Sequence, residues 1–97
     1  MGCARQFVDA LLRADLDAAL ALVDTSAVDA VRPWIGAPLN AEVIEVVALS
    51  IAAGRSRIGV GVAFEPAADG TITEPIAYVV DVIDDEAGCR VTAVSYA

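Results

Sequence analysis

The second half of the chain is dominated by β-branched and other apolar residues, and this feature restricts the fold most. The runs EVIEVVALSIA and IAYVVDVI are apolar at nearly every position. A sheet that is covered on one side only should alternate apolar and polar residues. Both faces of a sheet built from these runs therefore need a cover.

Turn signals divide this half of the chain into four predicted strands. The turns are marked by Gly54, by Asp69-Gly70 and by the acidic segment 84–88. Short connections of this kind join antiparallel neighbours, so we predict a meander. The predicted strands are 43–52, 56–66, 74–83 and 89–97.

Strict alternation along the strands predicts which side chains share a face. In the first strand, Val43, Val47, Leu49 and Ile51 would oppose Ile44, Val46, Ala48 and Ala52. In the third, Ala77, Val79 and Ile83 would oppose Ile76, Val80 and Val82. Short helices can cover only one of these faces, so a second copy of the sheet is the simplest cover for the other. We therefore predict a homodimer.

The first third of the chain has helical spacing. The segment 4–14 repeats apolar residues at helical intervals, and Asp15 is placed to cap a second helix over 16–23. Ser26 resembles the start of a capping box for a short third helix, which Pro33 would end.

Helices followed by antiparallel strands predict an α+β domain. We expect a single domain over residues 1–97, with helices in 1–33 packed on one face of a four-stranded antiparallel sheet in 42–97.

Charge and residue usage exclude several functions. The chain has 14 acidic residues and 6 arginines, no lysine and no histidine, for a net charge of −8. Without a basic stripe it is not expected to bind nucleic acid. No apolar run is long enough to insert into a membrane. The lack of histidine excludes histidine triads and histidine zinc sites, and we predict neither a metal nor a cofactor.

The two cysteines, Cys3 and Cys89, have no metal-binding spacing. They could pair only if the first helix began near the last strand, and two unpaired thiols are the simpler expectation. The N-terminal MGCARQ lacks the features of a signal peptide, which favours a cytoplasmic protein. The alternative is an extracytoplasmic lipoprotein domain in which Cys3 carries the lipid.

Two segments resemble the nuclear-transport-factor-2-like superfamily, also called cystatin-like or ketosteroid-isomerase-like. They are FVDALLRADLDAALALV (7–23), similar to that family's helix–acidic turn–helix opening, and YVVDVIDDEAGCRVTAVSY (78–96), similar to its closing hairpin. Cys89 stands where the family often has tryptophan. The resemblance implies a strongly curved sheet that forms a cone around the helices. The lack of lysine suits a GC-rich genome, such as that of an actinobacterium.

The resemblance also implies a candidate catalytic group. Enzymes of the superfamily project a carboxylate into the cone, and Asp81 could take that role, with Tyr78 or Tyr96 donating a hydrogen bond. The alternative is an outer-face Asp81 that is paired with an arginine. The five-residue turn is expected to place Ile83 opposite Cys89.

Three further residues are candidates for a binding site. Glu45 interrupts the first strand and could pair with Arg55 or Arg57, either in a site or as a cross-strand salt bridge. Trp34 could close the mouth of the cone or pack in the core.

Two functions follow from these features. The first is a non-catalytic ligand-binding or protein-assembly domain that is dimeric through the open face of the sheet. The second is a small cone-pocket enzyme, of the isomerase, cyclase or epoxide hydrolase type, that acts on an apolar small molecule.

Overall fold

The computed structural model describes residues 2–86 and 88–97 of the chain. Met1, which belongs to the predicted 1–97 domain, and Ala87, in the predicted 84–88 turn, lie outside the described residues. The elements in chain order are α1 (Gly2–Leu12), α2 (Leu16–Leu20), a 3₁₀ turn (Thr25–Ala27), α3 (Val28–Val31), a 3₁₀ turn (Arg32–Trp34), β1 (Ala41–Ala52), β2 (Arg55–Phe64), β3 (Ile76–Asp85) and β4 (Gly88–Tyr96).

The four strands form one antiparallel sheet in the order β1-β2-β3-β4. The predicted meander and the predicted α+β class are both confirmed. Gly54 forms the β1–β2 turn with a φ of +71°, a conformation that glycine adopts without a steric penalty.

The helical layer covers one face of this sheet. The largest side chains in the shared core lie on α1, on α3 and on the inward positions of the strands. Those with less than 2% of their surface exposed are Phe7, Val8, Leu11, Val31, Ile58, Val60, Val62, Val80 and Val91. Together with their neighbours they form one apolar cluster.

Two β-bulges in β1 change which side chains share a face. The pairing of β1 with β2 slips between Val43 and Glu45 and again between Ala48 and Ser50. Each bulge adds one residue, which resets the alternation. The predicted faces of β1 are therefore wrong, whereas those of β3, which pairs with β2 without a shift, are confirmed.

In β1 as observed, Val43 and Val46 pack against the helix-side core. Ile44, Val47 and Leu49 are on the opposite side, and each of these three side chains is at least 41% exposed.

The β3–β4 hairpin is tighter than expected. Asp84 lies opposite Cys89, and Ile83 lies opposite Arg90, so the predicted Ile83–Cys89 pair is wrong by one residue. A register shift between Asp81 and Val82 moves the pairing by one further residue, so that Asp81 lies opposite Ala93.

The helix caps agree with the sequence at one position and differ at another. Asp15 caps α2 and accepts a hydrogen bond from the Ala18 amide, as predicted. Ser26 is not the cap of the third helical segment, because Asp24 takes that position and accepts hydrogen bonds from the Ser26 amide and hydroxyl. A carboxylate caps a helix start as well as a hydroxyl does.

A disulfide joins Cys3 in the first turn of α1 to Cys89 in β4, with 6.1 Å between the two Cα atoms. The expectation of two unpaired thiols is therefore wrong. The condition for pairing is met, because α1 begins directly beside the last strand.

The chain also covers part of the free edge of β4. Val23 forms a parallel bridge with Val91. The Val91 amide donates to the Leu22 carbonyl, and the Asp24 amide donates to the Val91 carbonyl. The helical layer is thus fastened to β4 by backbone hydrogen bonds and by the disulfide.

Within residues 2–86 and 88–97, no helix is both long enough and apolar enough to cross a membrane.

Candidate functional site

The side of the sheet that faces away from the helices is here called the open face. It carries the outward side chains of all four strands. These residues include Ile44, Glu45, Val47, Leu49 and Ser50 of β1, Arg55, Arg57, Gly59, Gly61 and Ala63 of β2, Ala77, Val79, Asp81 and Ile83 of β3, and Ala93 and Ser95 of β4. Most of them are apolar or small.

The relief of the open face is uneven. Ile44, Val47 and Leu49 form a row of large apolar side chains along β1, here called the β1 ridge, and they are 56%, 41% and 54% exposed. The ridge leans onto β2, where a Cβ at Gly59 would lie 3.4 Å from the Leu49 side chain. Glycine at this position therefore lets Leu49 lie flat on the sheet.

The rest of the open face is low. The outward positions beyond the ridge are mostly small, and they include Ala63, Ala77, Ala93 and Ser95. Val79, in the middle of β3, is half-buried. The face therefore has one raised side and one shallow side.

Asp81 lies on the open face and binds Arg57 of the neighbouring strand. The Nε atom of Arg57 donates to Oδ1 of Asp81 at 2.9 Å, and Nη2 donates to Oδ2 at 3.4 Å. The hydrogen bond to Asp81, together with its charge, raises the pKa of the Arg57 guanidinium. The interpretation of Asp81 as an outer-face residue paired with an arginine is confirmed.

Glu45 does not form the expected salt bridge. Its strand position opposite Gly61 is on the open face, four residues along β2 from Arg57. Among the described residues no ion pair to Glu45 is formed, and Arg57 binds Asp81 instead.

An open depression of about 400 Å³ lies at the end of the sheet near this ion pair. Arg55, Arg57, Ser50 and Thr92 contribute polar groups to its lining. Asp81 neutralises Arg57, and the acidic β3–β4 turn is close, because the Asp84 amide donates to the Gly54 carbonyl. The lining therefore contains one neutralised ion pair and one further arginine, Arg55.

Tyr78 and Tyr96 lie on the other side of the sheet from Asp81. Tyr78 is 3% exposed and its ring stacks on Tyr96, with the ring centroids 5.5 Å apart. Tyr78 and Asp81 are three positions apart along β3, an odd offset that places their side chains on opposite faces. The structure therefore does not bring the predicted carboxylate and tyrosines together.

Trp34 completes an aromatic cluster on the helix side. Its ring contacts Tyr96 at 4.8 Å and Tyr78 at 6.2 Å, both edge to face. Burial raises the pKa of the Tyr78 hydroxyl, and the neighbouring Tyr96 hydroxyl adds to the effect. The three rings fill one another's space and help to hold the helical layer on the sheet.

Sequence reasoning missed a second ion-pair group, at the start of β4. Nη2 of Arg90 donates to Oδ2 of Asp85 at 2.8 Å, and its Nε lies 3.3 Å from Oδ1 of Asp24. Hydrogen bonds from Ser26, with a contribution from the charge of Arg90, lower the pKa of Asp24. No sequence signal links residues 24 and 90, because only the bridge between Val23 and β4 brings them together.

No set of three or more potential metal-binding side chains is found in the part of the chain that the structure describes. Comparisons with protein-family models, with curated proteins and with solved structures find no match to this chain.

Proposed function

We propose that this chain is a non-catalytic assembly domain that forms a homodimer through the open face of its sheet. The observation that carries the proposal is the exposed β1 ridge, in which Ile44, Val47 and Leu49 stand together. A contiguous apolar surface of this kind is typical of an interaction site. Within the described residues no helix packs on this face.

A second copy fits this face because the face complements itself. Two-fold packing would place the ridge of one copy over the low side of its partner, and the reverse contact would be identical. Strand length and spacing give the face an area of about 600 Å² per copy. The pair would bury about 1,200 Å², which is at the lower end of the range for specific dimers.

The charge distribution favours the same partner. The chain as a whole carries −8, so contact between two copies is opposed over most of the surface. On the open face, however, Arg57 and Asp81 neutralise each other, and the charged side chains without an ion pair among the described residues are Glu45 and Arg55, of which Arg55 lies at the β1–β2 turn. Depletion of charge is typical of the centre of protein interfaces.

The sheet edges are less suited to pairing with another chain. Val23 and its neighbours cover part of β4, and the two bulges interrupt β1. Bulges and covering segments both protect edges from strand addition. We therefore assign the partner to the face of the sheet.

The cone-pocket enzyme remains the alternative, and its predicted pocket is on the helix side. That side is filled by side chains such as Phe7, Leu11 and Ile58, each no more than 2% exposed. Asp81 points away from it. The assembly function has the stronger support. Turnover of an apolar substrate by the wild type that is lost in Asp81→Asn would instead support the enzyme.

We extend the proposal to family and compartment. The order of helices and antiparallel strands supports membership of the nuclear-transport-factor-2-like superfamily, with a cone-shaped sheet. The Cys3–Cys89 disulfide supports an oxidising compartment over the cytoplasm, because such bonds persist there. A thiol in a disulfide cannot also carry a lipid, so we do not assign Cys3 as a lipid anchor.

Sedimentation equilibrium of the oxidised chain tests the dimer. We expect twice the chain mass for the wild type at micromolar concentration and the monomer mass for Val47→Glu, because the new carboxylate would be buried without a partner. Ile72→Glu is the matched control, since Ile72 is 74% exposed in the β2–β3 loop. A monomeric wild type, or equal dimerisation of Val47→Glu, would contradict the proposal.

A further inference from the structure

We infer that the Arg57–Asp81 ion pair fixes how the two copies align across the open face. This inference rests on the proposed dimer and goes beyond it, because it assigns alignment to one pair of residues. Among the described ion pairs, Arg57–Asp81 is the one that joins the two central strands, β2 and β3, whereas those of Arg90 lie near the β3–β4 turn.

The cross-strand neighbours of the pair on β1 and β4 are small. Along the sheet, Ser50 of β1 is opposite Arg57, and Ala93 of β4 is opposite Asp81. Neither neighbour is large enough to shield the charges from the direction of a partner. The Arg57 and Asp81 side chains are 59% and 33% exposed in the single chain, so a second sheet packed on this face would remove much of their water.

Shape alone leaves the alignment poorly determined. The low side of the face is a shallow surface of small side chains, over which a ridge could settle in several positions. Apolar contact is non-directional and changes little between such positions. A geometric constraint has to come from a polar group.

Burial converts the ion pair into that constraint. In water an exposed pair contributes little to stability. When the pair is covered, both charges lose hydration, and only an alignment that retains the ion pair and its remaining hydrogen bonds compensates for the loss. Alignments that press the partner's ridge directly onto Arg57 and Asp81 are disfavoured. A polar group within an apolar coiled-coil interface selects register and partner in the same way.

The inference predicts that single and double substitutions of the pair have different effects on the dissociation constant of the dimer. Arg57→Leu leaves Asp81 without its partner in the interface, and Asp81→Leu does the same to Arg57. We expect each to weaken dimerisation at least tenfold. The double variant removes both charges, so we expect its dissociation constant to return to within about threefold of the wild type or below it.

The experiment measures dissociation constants by sedimentation for the wild type, both single variants and the double variant. Arg5→Leu and Asp17→Leu are the matched controls, because they make the same charge changes at exposed positions of the helical layer. Circular dichroism confirms that each variant is folded.

Alignment itself is read from a spin label at Asp17→Cys, using double electron–electron resonance between the two copies. We expect one narrow distance in the wild-type background and a broad distribution in the double variant. The inference would be overturned if both single variants dimerised as tightly as the wild type and every background gave one narrow distance. The proposed dimer would then remain intact. A monomeric wild type would overturn both.

Discussion

The two faces of the sheet are built from similar residues but have different surroundings. In β3, Val80 on the helix side is completely buried, whereas its neighbour Val79 on the open face is only half-buried. On the helix side, the Cys3–Cys89 disulfide and the aromatic cluster around Trp34 also join the helical layer to the sheet. The open face has neither. The chain thus encodes two apolar surfaces and supplies a cover for one of them.

The largest loss of stability is expected from removal of the disulfide on the covered face. The disulfide joins residues 86 positions apart. Closing a loop of this length restricts the unfolded chain, and we expect Cys3→Ser with Cys89→Ser to lower the free energy of unfolding by about 4 kcal/mol. Urea unfolding of the oxidised wild type and of the double variant measures this difference. A loss below about 1 kcal/mol would show that the bond constrains little.

Leucine and phenylalanine truncations compare the two faces directly. Phe7→Ala empties a buried site, and we expect it to cost about 4 kcal/mol of unfolding free energy in the folded monomer. Leu49→Ala removes a ridge side chain that is 54% exposed, and we expect it to cost less than about 1 kcal/mol in the monomer.

The measurement is urea unfolding in the Val47→Glu background, where dimerisation does not contribute. Equal losses for Phe7→Ala and Leu49→Ala would contradict the division into a covered and an open face. In the wild-type background Leu49→Ala should also weaken the dimer.

The sequence predicted the architecture better than the faces of β1. Turn residues and β-branched runs located all four strands, because these signals are local. The bulges that reset β1 depend on its pairing with β2, where Gly59 and Gly61 allow large side chains of β1 to lie over the sheet. Alternation counted along a single strand cannot detect a change that pairing imposes.

The candidate residues show the same limit. The Arg57–Asp81 pair was open to prediction because cross-strand neighbours of opposite charge tend to pair. The disulfide depended on where α1 begins relative to β4, which is a tertiary relationship. The positions of Tyr78 and Asp81 along β3 are enough to place them on opposite faces of the sheet. The resemblance nevertheless put both residues in one candidate site.

A smaller effect is expected at alkaline pH from the covered face. Burial raises the folded-state pKa of Tyr78 above its usual value near 10. Stability from this shift is fully present below that value and is lost as pH rises through the folded-state pKa, since the unfolded chain releases the proton more readily. We expect Tyr78→Phe to unfold with a weaker dependence on pH above about 10. An unchanged pH dependence would argue against burial of the hydroxyl.

The smallest effect is expected in acid, from the segment that fastens the helical layer to β4. Hydrogen bonds from Ser26 lower the pKa of Asp24 below its usual 3.8. The stabilisation is present above that value and is lost as pH falls through the folded-state pKa. Asp24→Asn should be less stable than the wild type at neutral pH and equal to it in strong acid. Asp29→Asn, on α3, is the control, and equal behaviour of both variants would contradict this role.

The central claim, that a second copy covers the open face, is tested most directly by the accessibility of its methyl groups. A soluble gadolinium chelate broadens methyl resonances that solvent can reach, and Ile72, which is 74% exposed in its loop, serves as the internal reference. We expect the methyl resonances of Ile44, Val47 and Leu49 to be protected from broadening in the wild type. In Val47→Glu, the methyl resonances of Ile44 and Leu49 should be broadened. Broadening of the wild-type ridge equal to that of Ile72 would contradict the account.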